Sequence, residues 1–375
     1  MRKEEVRELI ITLLMLGITA VVSFTVLGRS LATYVNGIHP VVFGLICFIL
    51  VFIINVVGHE LLHALGAKIG GYKVVSMNFL GFYFEKKDNK TVFHFRSFDG
   101  LTGETKIAPT EKENKKANLY VLYPLFGFTF EVGAAVILIA ILKDSNVSRG
   151  LWLIPACIVV ILISCLIGLY ELFPLRLENM NDGYRLRLFA KPINVEAYNE
   201  MLSIQDLQRN GKTIENVRVF EEITEYTAEC NMYAMYFYLA KENYEQANKI
   251  INVLLDNKNK LGLASANRLI AQKLYVDILT KSLDEAKKIY DEIASSEIRR
   301  FIANDISMES IRAYILIAGM IEDSEGEVKF ALSKVEKAKK KALPSQIKVE
   351  EMLVEKAKEY VYTNHTKWEK EIAAW

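Results

Sequence analysis

The sequence predicts a mainly α, polytopic membrane protein. It carries a small β-hairpin after the second span and a C-terminal all-α domain of tetratricopeptide-like helical hairpins. Three observations predict this. Four apolar runs before residue 175 are each long enough to cross a bilayer, which takes about 20 residues. A stretch rich in β-branched and aromatic residues interrupts them at 72–98. After residue 190 the apolar runs give way to dense Lys/Glu sequence of helical period. The averages conceal this split: 51% of the 375 residues are hydrophobic, 24% are charged, and the net charge is +1. A balance so close to zero leaves no global basic field and argues against nucleic-acid binding. The four cysteines form no CxxC pair, and three of them sit in apolar runs as small hydrophobes, so no disulfide framework is expected.

The spans read as about 9–28, 40–57, 119–142 and 151–173. The first follows a charged start, but its apolar run exceeds the roughly 7–15 residues of a signal-peptide core, so it reads as a retained anchor. Positive charge orients the set. Arg2, Lys3 and Arg7 precede the first span, ten Lys/Arg lie between 68 and 117, and Arg176, Arg185, Arg187 and Lys191 follow the fourth. The links 29–39 and 143–150 hold few. Both termini and the 68–117 segment are therefore expected on the cytoplasmic side of a bacterial-type cell membrane.

Between spans two and three, Gly70-Gly71 ends the helix, and KKDNK splits the stretch that follows into two arms of a hairpin. In the tail, YEQANKI and LDEAKKI match at an offset of 39 residues. That spacing resembles stacked helical hairpins, which suit docking of a protein partner. The domains are read as an anchor and external link at 1–39, a core at 40–190 and the helical tail at 191–375. No Walker-type phosphate loop is present, so the tail offers no sequence case for ATP.

His59-Glu60-Leu61-Leu62-His63, at the end of span two, is the sharpest signal. Positions i and i+4 share a helix face, so both imidazoles can bind one zinc ion, with Glu60 beside them as a general base. Ionisable groups at membrane depth are costly unless they coordinate or pair. A hydrolytic zinc site needs a third protein ligand, and Asp182 is the best placed: Pro174 breaks span four, and Asn181-Asp182-Gly183 follows on the same membrane side. Alone, Asn-Asp-Gly is most simply a turn; beside HExxH it reads as a ligand, with Gly183 permitting a tight approach. Glu131 and Asn55 are further polar residues within spans, the first most plainly an interhelical hydrogen-bonding group.

A membrane HExxH, a β-hairpin and a later span followed by Asp-Gly together resemble the site-2 protease family of intramembrane zinc metalloproteases, over about residues 40–190. The resemblance implies His59, His63 and Asp182 as ligands of one Zn2+, Glu60 as catalytic base, and hydrolysis of peptide bonds in membrane-associated or signal-peptide-like substrates near the cytoplasmic face. Glu171 stands where the family has the Asn of Asn-x-x-Pro, and the run from Pro174 to Asp182 is longer than the commonest pattern. Glu171 is thus a fourth carboxylate near zinc, a partner of a ligand histidine, or, most simply, a residue snorkelling at the span end. The hairpin at 72–98, with Phe79 and Phe82, is expected to serve as a substrate platform, and Asn55 and Asn179 as further substrate contacts. Two other functions are compatible with these residues: a membrane-anchored helical scaffold with a non-catalytic metal site, and a component of peptide export.

Overall fold

The computed structural model of the chain describes residues 3–35, 39–87, 90–95, 103–112, 115–144, 151–176, 180–212, 214–340, 342 and 344–368. The chain divides into two compact units, residues 1–195 and 196–375. The N-terminal anchor is part of the first.

Four helices of the first unit are long and apolar enough to cross a membrane. The first is built from α1 (Lys3–Val22), a π-helical turn at Ser23–Leu27 and α2 (Gly28–Tyr34). The second, α3 (Pro40–Ile69), starts with proline at its first turn, where a missing N–H costs nothing. It runs unbroken through the HExxH segment and ends at Gly70, and Gly71 turns the chain out with φ 90°. α4 (Ala117–Asp144) carries Pro124 within it, which packing by neighbouring helices tolerates in a membrane. α5 (Leu153–Leu172) stops where Phe173 turns extended ahead of Pro174. Their outward faces are rows of exposed Leu, Ile, Val and Phe, such as Ile18, Val41, Ile54, Phe130 and Ile137. In water such a surface would aggregate; in lipid it is solvated.

A polar cluster ties three of these helices together. Ser164 Oγ on α5 donates to Glu131 Oε2 on α4 at 2.6 Å and lies 3.3 Å from Asn55 Oδ1 on α3.

The segment after α3 is larger than the two-armed hairpin expected from its sequence. It forms a four-stranded antiparallel sheet of order β3-β2-β1-β4, from β1 (Tyr72–Phe79), β2 (Phe82–Lys87), β3 (Lys90–Phe95) and β4 (Glu104–Pro109). The first arm divides because Leu80 and Gly81 both adopt positive φ, 51° and 83°, the geometry of a two-residue hairpin turn. The fourth strand carries no apolar run to announce it: ETKIAP opens with three polar residues and has a single large aliphatic, Ile107. Phe79, Phe82, Phe84, Phe93 and Phe95 cluster on one face of β1–β3, with ring centroids 5.3–6.3 Å apart.

A short helix, α6 (Asp182–Phe189), follows α5, and α7 (Pro192–Arg209) leads into the second unit. That unit is all helical: α8 (Glu225–Ala240), α9 (Tyr244–Asp256), α10 (Leu263–Thr280), α11 (Leu283–Ile293), α12 (Ser296–Asn304), α13 (Met308–Leu316), α14 (Glu325–Ser333), α15 (Val335–Lys339) and α16 (Pro344–Asn364). The YEQANKI and LDEAKKI segments open equivalent second helices, α9 and α11. Asn243 and Ser282 cap them by accepting from the N–H three residues on, and Ser324 does the same for α14. The third hairpin departs from the pattern because α12 intervenes and a π turn at Ile317–Ile321 prolongs α13. The core is aliphatic, with Leu269, Leu274, Ile311 and Ile315 fully buried. A buried ion pair crosses it: Arg312 Nη1 donates to Glu350 Oε2 at 2.8 Å, and Nη2 donates to Gln272.

Candidate metal centre

The site begins with helical periodicity. One turn of α3 sets His59 over His63, with ring centroids 4.6 Å apart and their Nε2 atoms 3.1 Å apart. Aromatic rings of α4 flank both: Phe128 stacks on His59 at 5.3 Å and Tyr120 lies against His63 at 4.5 Å. His63 Nδ1 donates to the Tyr120 carbonyl at 2.8 Å. A carbonyl can only accept, so this bond puts the proton on Nδ1 and leaves Nε2 of the neutral ring as a lone pair directed into the site.

The third group arrives from 119 residues further along the chain. Asp182 Oδ2 lies 3.2 Å from His63 Nε2 and 3.6 Å from His59 Nε2. Asn181 controls its approach. The Asn181 side chain caps α6 by accepting from Tyr184 N, accepts from Leu175 N, and donates to the Tyr170 and Phe173 carbonyls at 2.6 Å each. It thus pins the start of α6 to the frayed end of α5. Gly183 completes the approach: a Cβ there would lie 2.2 Å from the Leu172 carbonyl oxygen, so only glycine lets the two backbones meet this closely. Glu171 also touches this junction, its Oε2 accepting from the Asp182 N–H at 3.1 Å. The observed contact of Glu171 is thus with the main chain of Asp182.

The geometry accommodates a metal ion. Ligand bonds of about 2.0–2.1 Å in tetrahedral array hold donors about 3.3–3.4 Å apart. The three separations here, 3.1, 3.2 and 3.6 Å, bracket that value. Asp182 Oδ2 is buried with no hydrogen-bond donor, and it faces two imidazole nitrogens, of which that of His63 has no proton to give. Buried acceptors crowded together are satisfied by a proton on His59 Nε2 or by a cation between them. His59, Glu60 and His63 also form a group whose ligand atoms lie within 4.8 Å of one another, so Glu60 competes on paper for the third position. Its Oε2, however, accepts from the Thr105 hydroxyl at 2.6 Å. Asp182 Oδ2 has no such donor, so of these two oxygens it is the one left without a hydrogen-bond partner.

The remaining predicted residues are dispersed. Asn55, one turn before His59, is buried and engaged with Ser164 and its own helix carbonyl at Val51. Phe79 and Phe82 make their ring contacts within the sheet, on the side of β1 away from β4. Asn179 lies outside the described residues. Thr105, Tyr120, Phe128 and Asn181 escaped the sequence reading as members of the site. Only Asn181 left a signal, as a helix-capping Asn ahead of Asp-Gly; the others meet the HExxH segment from 45 to 69 residues away. No protein-family model matches this chain, nor does any curated protein or solved structure.

Proposed function

We propose that this protein is a membrane-embedded zinc metallopeptidase that hydrolyses peptide bonds of membrane-associated substrates near the cytoplasmic face. The observation that carries the reading is the convergence of Asp182 on His59 and His63, with Glu60 adjacent but held out of the ligand set. Two imidazoles and a carboxylate leave a fourth position open, as hydrolytic zinc sites require. The ion, when bound, supplies Lewis acidity that polarises a carbonyl and makes water nucleophilic near neutral pH. His59, His63 and Asp182 hold it. Tyr120 fixes the His63 tautomer through its carbonyl. Glu60 takes the proton of the attacking water and returns it to the leaving amine. The resemblance to site-2 proteases supports the same assignment.

A helical substrate hides its peptide bonds in its own hydrogen bonds and must unwind to be cut. An unwound segment needs new partners inside the membrane. The outer edge of β4 pairs with no strand among the described residues, and β4 touches Glu60. Strand addition to that edge would supply the partners beside the base. β4 is therefore a better platform than the aromatic 72–98 hairpin. The positive charge of the 68–117 segment supports a cytoplasmic site and cytoplasmic termini. The helical unit, with its repeated caps, is assigned to docking a protein partner in the manner of tetratricopeptide-like hairpins.

The test compares membrane peptide fragments in cells carrying the wild-type protein or Glu60→Gln, with zinc content measured on both purified proteins. Glu60→Gln is expected to keep its zinc and lose at least about 100-fold of product formation. Identical fragment profiles would replace hydrolysis with the scaffold reading.

A further inference from the structure

A glutamate on a helix has three rotatable side-chain bonds, so α3 alone does not aim the Glu60 carboxylate. β4 does. Thr105 Oγ1 lies 2.6 Å from Glu60 Oε2 and 3.2 Å from the Glu60 carbonyl oxygen, and Thr105 is buried. Two residues earlier, just before β4 begins, Gly103 also lies against the Glu60 side chain. A Cβ there would sit 2.2 Å from Glu60 Cγ and 2.6 Å from Oε1. The carboxylate therefore occupies a slot between a hydroxyl and a bare backbone, with Oε2 committed and Oε1 left for proton transfer.

The strand that forms this slot is itself anchored to the metal site. The Tyr120 hydroxyl donates to the Thr105 carbonyl at 2.8 Å, and the Tyr120 carbonyl accepts from His63 Nδ1 at 2.8 Å. One residue of α4 thus holds a ligand ring through its main chain and the β4 strand through its side chain. Glu60 and His63 are consequently registered to each other through α4 and β4 as well as through α3.

We propose that Thr105 is the positioning residue of Glu60, and that Tyr120 sets Thr105 in register with the metal ligands. The assignment rests on the hydrolytic reading of the site. Loss of a partner at this distance from a metal commonly costs about 10–100-fold in activity.

The experiment uses the full-length protein in detergent, loaded with zinc, and a quenched fluorescent peptide that spans a bilayer as the probe substrate. Thr105→Val keeps the shape and removes the hydroxyl; Thr105→Ser keeps the hydroxyl; Tyr120→Phe removes only the phenol oxygen. Thr105→Val is expected to lower kcat about 10–100-fold with KM and zinc content unchanged, and Thr105→Ser to restore kcat to within about threefold. Tyr120→Phe is expected to fall between them. A second readout does not depend on turnover: calorimetric binding of acetohydroxamate, whose acidic proton is received by a carboxylate beside the metal. Its affinity should weaken about tenfold in Thr105→Val and recover in Thr105→Ser. A wild-type kcat and hydroxamate affinity in Thr105→Val overturns the assignment, as does a loss that Thr105→Ser fails to restore. A wild-type protein that cleaves nothing more than Glu60→Gln removes the hydrolytic reading itself, and this assignment with it.

Discussion

If the proposed zinc site forms, replacing Gly183 by alanine should weaken zinc binding without touching a proposed ligand. The added Cβ would meet the Leu172 carbonyl oxygen at 2.2 Å, the Leu172 carbonyl carbon at 2.6 Å and the Glu171 carbonyl oxygen at 2.7 Å. All three are backbone atoms of α5, which cannot rotate away. Relief to an ordinary contact requires the start of α6 to move by about 1 Å. Asp182 is the neighbouring residue and moves with it, whereas metal–ligand distances hold to within about 0.2 Å. The carboxylate therefore leaves the ligand set. Zinc binding of about 10–16 kcal/mol shared among four ligands is about 3 kcal/mol each, or about 100-fold in Kd. The assay is competitive zinc titration against a chromogenic chelator with purified full-length protein. Gly133→Ala serves as the matched control, since nothing lies within 4 Å of a Cβ there. Asp182→Ala should lose a similar factor, and the double variant Asp182→Ala/Gly183→Ala should lose no more than Asp182→Ala alone, because both act on one interaction. Wild-type zinc affinity in Gly183→Ala, or additive losses in the double variant, would refute the reasoning.

Other parts of the molecule yield independent expectations. Ser164→Ala removes the hydroxyl between Asn55 and Glu131 and should lower the melting temperature in detergent, by an amount near the roughly 0.6 kcal/mol typical of such membrane contacts, with zinc affinity unchanged. Arg312→Leu strands a buried Glu350 and should cost about 3–5 kcal/mol in denaturant titration, whereas the pair Arg312→Leu/Glu350→Leu should recover most of it. Thr224→Ala removes the capping box that Thr224 shares with Thr227 and should destabilise the helical unit by about 1 kcal/mol, read as increased hydrogen exchange in α8. Burial opposes ionisation of Asp305, but hydrogen bonds from Arg268, Ser307 and Ser310 hold its carboxyl below the usual aspartate value. Its contribution is present above the unfolded-state value and is lost as pH falls through the lowered one. The melting-temperature gap between wild type and Asp305→Asn should therefore close on acidification.

The parts of the site that lie within one helical turn were legible in the sequence. An i, i+4 pair of histidines on an apolar helix cannot avoid a shared face, because 3.6 residues per turn dictates it. The spans, the Gly70-Gly71 stop and the Pro174 break follow from equally local physics: hydropathy, backbone freedom and a missing N–H. The recurring caps at Asn243 and Ser282 are likewise written within four residues. The hairpin was only half legible. Its aromatic arms alternate as strands must, but β4 has one large aliphatic among polar and small residues, and its place is set by pairing with β1 rather than by pattern.

Tertiary structure decided everything that depends on distant segments meeting. HExxH spacing determined that two rings would face one point in space; it did not determine which distant carboxylate would come up against them. That choice fell to Asn181, whose four hydrogen bonds seat α6 on α5, and to Gly183, whose lack of a side chain lets the backbones touch. The different settings of the two carboxylates came the same way: a threonine 45 residues beyond Glu60 engages one of its oxygens, while Asp182 Oδ2 has no such donor. Local periodicity acts through bonds that every copy of a helix shares, whereas these contacts exist only once packing has brought β4, α4 and α6 against α3, and nothing in a linear pattern encodes that meeting.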